Sequence, residues 1–141
     1  MRSDTVIGMT KTLAAPKGSK PGLDGIVRST QPIDVVVKDL RELLGARLVA
    51  YIAGVQETRA VHQWADEGRE VRGTAERRLR LALHVAVLLG ERDETAVIQA
   101  WFQGLNPQLE DRSPARVLRD GDVDEVGPEV LAAARAFAAV G

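Results

Sequence analysis

The chain contains no cysteine. That excludes disulfides, thiolate zinc sites and cysteine nucleophiles together, and it suits a reducing compartment. Aromatic residues make up only 4 % of the 141 positions, so a core must be built from Leu, Val and Ala. Histidine occurs twice. His62 reads as a polar surface residue and His84, inside an apolar run, as a packed core histidine. Asp120, Asp122, Asp124 and Glu125 cluster but lack the glycine and late bidentate glutamate of a calcium loop. There is no Ser/His/Asp arrangement and no glycine-rich phosphate loop. The expectation is therefore no catalytic residue, no metal, no cofactor, and a protein that is not an enzyme. No apolar run approaches the ~20 residues of a membrane helix. The longest, LALHVAVLLG, is interrupted by His84, and the first residues lack the apolar stretch of a signal peptide. A cytoplasmic protein without a membrane partner is expected.

What is present is 45 % apolar and 28 % charged, with a net charge of −1. Such a balance argues against wholesale disorder and suits one ordinary domain or two small ones. The charge is unevenly spread. Residues 1–30 carry five basic and two acidic side chains, residues 31–90 nine and eight, and residues 91–141 five and ten. A basic front and an acidic back suggest two different partners. Residues 1–30 mix Lys, Ser, Gly and Pro without a period and read as a flexible arm, able at most to touch phosphates.

From Pro32 the apolar period becomes helical. Val36, Leu40, Leu43 and Leu44 share a face, with Asp34 as N-cap and Gly45 as stop. A short helix over Ala46–Ala53 ends at Gly54. Another follows with Val61 and Trp64 inward. GTAERRLRLALHVAVLLG, capped at Thr74, stripes Leu79, Leu83, Ala86 and Leu89. Asp93 caps a helix that stops at Gly104. Ser113, Pro114 and Gly121 form a cap, first position and stop in the right order. A last helix begins at Pro128. The fold class is all-α, with about seven helices.

Two short helices around a glycine turn, the second polar, fit a helix-turn-helix. The first would be Ala46–Ala53, the turn Gly54–Gln56 and the recognition helix Glu57–Ala65. Gln56, Glu57, Thr58, Arg59, His62 and Gln63 would face DNA, with Arg69 and Arg72 following. Arg suits guanine edges and Gln adenine edges, while later arginines, Arg77 and Arg78 among them, could hold phosphates. Against this stand the near-neutral charge of the zone and Glu57 itself.

The stretch AWFQGLNPQLEDRSPARVLRDGDVDEVGPEVLAAA resembles the toxin-binding domain of Xre/MbcA/ParS-type antitoxins. The resemblance rests on Trp101, Phe102, Asn106, Pro107, Leu109, Pro114, Leu118, Gly121, Val126 and Leu131. The upstream LGARLVAYIAGVQETRAVHQWADEG is similar to the Xre-like helix-turn-helix of the same family, although VQETRAV is one residue longer than its usual helix start. That extra residue would either lengthen the turn or rotate the recognition helix by ~100°.

The resemblance covers about residues 33–141. Behind the flexible arm read from composition at 1–30, it implies an Xre-like helix-turn-helix domain at 31–90 and a small helical toxin-binding domain at 91–141. It implies an antitoxin of a type II toxin–antitoxin system that binds a RES-type NAD-degrading toxin and covers its active site. Operator DNA would be a second partner through autoregulation, and the protein would be a homodimer within a larger complex. Leu131, Arg135, Ala138, Val140 and Gly141 would reach the toxin. The alternative is a stand-alone dimeric helix-turn-helix transcriptional regulator.

Overall fold

The computed structural model describes residues 23–140. Among them are eight α-helices, one 3-10 turn and no strand, so the all-α expectation is met. In chain order the helices are α1 (Leu23–Ser29), α2 (Ile33–Leu44), α3 (Ala46–Ala53), α4 (Thr58–Asp66), α5 (Gly73–Gly90), α6 (Thr95–Gln103), α7 (Pro114–Asp120) and α8 (Val123–Val140). The 3-10 turn is Pro107–Leu109.

Helix α5 organises the rest. Leu79, Ala82, Leu83 and the whole run Val85–Leu89 are buried, so it is apolar on most sides, the pattern of a helix enclosed by others. It packs against α1, α2, α3, α6, α7 and α8. One continuous core runs from Val36 on α2 to Ala134 on α8. The inward stripes read from sequence are the buried ones, Val36, Leu40 and Leu44 on α2, Val61 and Trp64 on α4, Leu79, Leu83, Ala86 and Leu89 on α5, except that Leu43 of α2 is only partly buried against the core.

Helix α3 spans the expected Ala46–Ala53, and Gly54 ends it in the left-handed conformation (φ 89°), where a side chain is disfavoured. Helix α4 starts at Thr58, one residue later than expected. Ser113 caps α7 by accepting the Arg116 N–H at 3.2 Å.

Several starts differ from the sequence reading. Residues 23–29, expected in the arm, form α1; the remainder of that arm lies outside the described residues. Tertiary contacts hold this helix. Arg28 pairs with Asp39 on α2 at 3.0 Å, and Arg80 of α5 donates to the Ser29 and Gln31 carbonyls at 2.8 and 2.6 Å. Gly25 lies directly against the backbone of His84. Asp34 sits in the first turn of α2, after Pro32 at the N-cap. Thr74 lies inside α5, whose N-cap is Arg72, and Glu94 rather than Asp93 precedes α6. None of these three caps uses a side chain. Pro128 lies inside α8, not at its start. Asp122 begins that helix: its side chain accepts the Asp124 N–H at 3.1 Å, and its carbonyl takes the Glu125 and Val126 N–H groups.

Candidate functional site

Two surfaces were expected to carry function. The first is the outer face of α4. With Val61, Trp64 and Ala65 buried, helical spacing turns Arg59, His62, Gln63 and Asp66 outward. Gln56, Glu57, Arg59, His62, Arg69 and Arg72 are exposed, Thr58 and Gln63 half-buried. The structure thus brings Gln56 to Gln63 together at the start of α4.

Their charges are largely spoken for. Arg59 lies 4.0 Å from Glu57, and Arg72 3.6 Å from Glu70. Arg69 donates to the Gln63 amide oxygen. His62 Nδ1 lies 2.9 Å from Arg41 Nη1, and the same guanidinium grips Asp66. Asp66, thus hydrogen-bonded, has its carboxyl held below the usual carboxylate range. Arg77 and Arg78 point elsewhere: Arg77 pairs with Asp124 on α8, and Arg78 lies against the Ala53 carbonyl at the end of α3. Acids therefore accompany most of the arginines around this face.

The second surface is the end of α8. Candidate residues there split between two flanks. Leu131 packs partly buried against the core. The Ala138 carbonyl accepts from Arg92 at 2.5 Å. Arg135 is exposed and, after burial itself, is the second influence lowering the pKa of half-buried His84. At 100° per residue these three lie on one side of α8, whereas Ala133, Ala136, Phe137 and Val140 lie on the other. Gly141 is outside the described residues.

That other side forms the wall of a groove that sequence reading missed. Val97, Ala100 and Trp101 of α6, Leu105 to Gln108 of the following loop, and Phe137 and Val140 of α8 enclose about 550 Å³. Its exposed apolar residues are conspicuous: Leu105 is 75 % accessible, Val140 87 %, Phe137 40 % and Val97 38 %. Among the described residues, four of the seven large exposed hydrophobic side chains thus share one depression. Scattered exposed apolar residues need no explanation; clustered ones mark interaction surfaces.

Local structure builds this groove. Trp101 and Phe102 meet edge to face, ring centroids 5.3 Å apart, and anchor α6 in the core. The loop then folds on itself. Asn106 accepts the Gln108 N–H at 2.9 Å, its own N–H reaches the Arg112 carbonyl at 3.1 Å, and Glu110 and Asp111 both take positive φ. Leu109 plugs inward while Leu105 is left outside. Acids lie close by in the chain: Glu110, ion-paired with Arg112 at 3.5 Å, and Asp111 follow Gln108 and the inward Leu109 along the loop. Glu129 leads the stripe that continues through Ala133, Ala136 and Val140. A signal was present in the sequence, an apolar Leu105 between Gly104 and Asn106-Pro107, where turns usually carry polar residues.

Among the described residues no group of metal-ligating side chains is assembled, and no helix is long and apolar enough to cross a membrane. No protein-family model, curated protein or solved structure matches the chain.

Proposed function

We propose that this protein is the antitoxin of a type II toxin–antitoxin pair, a cytoplasmic homodimer that neutralises a RES-type NAD-degrading enzyme by covering its active site. One observation carries the reading. Residues 91–141, expected as the toxin-binding domain, build the apolar groove lined by Val97, Leu105, Phe137 and Val140, and of these Leu105 belongs to the stretch that carries the resemblance. Aromatic and aliphatic anchors in a concave patch with a charged rim are the usual make-up of a protein interface. The acids close by in the chain, Glu110, Asp111 and Glu129, suit a basic rim on the partner and would speed its encounter.

Growth of cells expressing the enzyme encoded beside this chain tests the proposal. Co-expression of the full chain should restore growth, and Leu105→Asp with Phe137→Asp should abolish the rescue while the protein stays folded. A neighbour that is harmless alone, or rescue by the double variant equal to wild type, would remove the groove from the mechanism.

Autoregulation through DNA, or a stand-alone regulator, is the second reading. Its support is the α3–Gly54–α4 arrangement, with Arg59, His62 and Gln63 at the start of the second helix. Under this reading Arg59→Ala eliminates a gel shift with the upstream DNA, and wild-type affinity falls steeply with salt. Wild-type protein that fails to shift that DNA at low salt would argue against it.

A further inference from the structure

Arg47 of α3 is exposed and has no hydrogen-bond or ion-pair partner among the described residues. It stands between two concavities. The larger, about 680 Å³, lies between the start of α3 and α6, and Gln99, Gln103, Arg47 and Tyr51 are among the residues that line it. The smaller, about 300 Å³, is lined by Arg47, Tyr51, Thr58 and Arg119. Arg47 and Tyr51 belong to both, so the two form one cleft with a shared divide.

The chemistry differs along this cleft. Two arginines, Arg47 and Arg119, line the smaller lobe. Arg119 of α7 is fixed in place: its Nη1 donates to the Tyr51 carbonyl at 2.8 Å, and its guanidinium carbon lies 4.6 Å from the centre of the Tyr51 ring. Arg47 is unpaired. The acids nearby are engaged elsewhere, Glu57 with Arg59 and Asp120 with Arg116. Thr58 adds a hydroxyl. Two arginines without a carboxylate between them attract an anion, and their forked donors match phosphate oxygens. In the larger lobe one aromatic residue, Tyr51, and two amides, Gln99 and Gln103, share the lining. Gln99 uses its NH₂ on the Leu43 carbonyl at 3.2 Å, which leaves its oxygen to accept. Gln103 is exposed with both ends of its amide open. An aromatic surface with amide groups is what a planar, hydrogen-bonding base requires, and the volume falls within the range of small-molecule sites.

We infer that this cleft binds a nucleotide, with its phosphates held by Arg47, Arg119 and Thr58 and its base lying in the larger lobe beside Tyr51, Gln99 and Gln103. The site is separate from the apolar groove and does not depend on the antitoxin reading. It draws residues from α3, α4, α6 and α7, so an occupant would touch both the front and the back of the chain.

Calorimetric titration of the full-length protein with ATP and, separately, with inorganic triphosphate tests the inference. ATP should bind one to one and more tightly than triphosphate. Arg47→Ala should weaken both about tenfold or more, the loss expected for one charge-assisted contact. Its side chain is exposed and has no partner among the described residues, so the variant should remain folded. Gln103→Leu should weaken ATP alone. Lys38→Ala removes one positive charge from α2 outside the cleft and should change neither. Absence of ATP binding at millimolar concentration overturns the inference. So do equal affinities for ATP and triphosphate, and an equal loss in Lys38→Ala, which would mean diffuse charge. Duplex DNA bound through Arg47 and Arg119 while ATP is not would overturn it in favour of a nucleic-acid backbone site.

Discussion

Arg41 grips Asp66 with both arms of its guanidinium, Nη1 to Oδ2 at 2.8 Å and Nη2 to Oδ1 at 2.9 Å. The pair ties the end of α2 to the end of α4 and leaves His62 beside it. Hydrogen bonding to Arg41 is the main reason the Asp66 pKa is lowered. A carboxylate with a depressed folded pKa stabilises above its unfolded value, about 3.9, and that contribution disappears as pH falls through the folded value. Asp66→Asn should therefore lower the urea midpoint at neutral pH, and the gap from wild type should close as the pH drops well below about 4. A gap that persists unchanged in acid would show that the pair acts by packing alone.

His84 gives a second pH dependence. Burial, then the nearby positive charge of Arg135, lowers its pKa. The unfolded chain then binds a proton more readily than the folded one, so stability is complete above about pH 6.5 and falls as pH decreases from there toward the folded value. The melting temperature should decline across that window and level off beneath it. His84→Gln should flatten the decline. Arg135→Ala should raise the histidine pKa in an NMR titration; a downward shift would contradict the assigned cause.

Gly25 is where α1 meets α5. A Cβ built there would lie 2.8 Å from the His84 carbonyl oxygen and 2.9 Å from its ring. The first of these atoms is backbone and cannot step aside cheaply. Gly25→Ala should cost about 1–3 kcal/mol, the usual range for overpacking. Amide exchange in residues 23–29 should accelerate more than in α5. Uniform acceleration across both helices would mean that α1 does not detach separately.

Trp101 carries a buried indole N–H without an acceptor among the described residues. An orphaned buried donor costs about 1–3 kcal/mol. Trp101→Phe removes that donor, which offsets the packing lost with the smaller ring. The expected change in unfolding free energy is within about 1 kcal/mol of zero. A loss above about 3 kcal/mol would show that the N–H is satisfied in solution.

Leu105 bears on the groove directly. At 75 % exposure it contributes little to the core, so Leu105→Ser should alter folding by no more than about 0.5 kcal/mol. Its effect should appear in partner capture. Wild-type capture by the variant would relocate the interface.

Local rules were readable where local interactions decide. Ser113, Pro114 and Gly121 bound α7 as expected, because an N-cap oxygen and a proline at the first position act within four residues. The stripes on α2 and α5 were readable because burial follows helical period. What escaped depends on distant residues. Helix α1 leaves Ile26 and Val27 exposed and is held by Asp39, Arg80 and His84, none of them its neighbours in sequence. Pro128 looked like a helix start because nothing local reveals that Asp122 begins the helix earlier. The caps assigned to Asp34, Thr74 and Asp93 have suitable side chains, yet those helices start where packing dictates, one or two residues away. On the candidate sites, spacing found the outward face of α4 but not the acids paired around it. Arg119 and Tyr51 meet across 68 positions of chain, a separation that no window of sequence can bridge.

Because α5 is enclosed by helices from both sides of it in the chain, the molecule is a natural candidate for splitting. A cut near Arg92, in the turn between α5 and α6, would leave one fragment with the bare flank of α5 that α8 covers and the other with the apolar side of α8 that fits it. Neither fragment keeps a closed core, and each carries what the other needs. Mixed together, they should regain helicity that neither shows alone. The protein could then serve as a split reporter that assembles only when both halves are brought together.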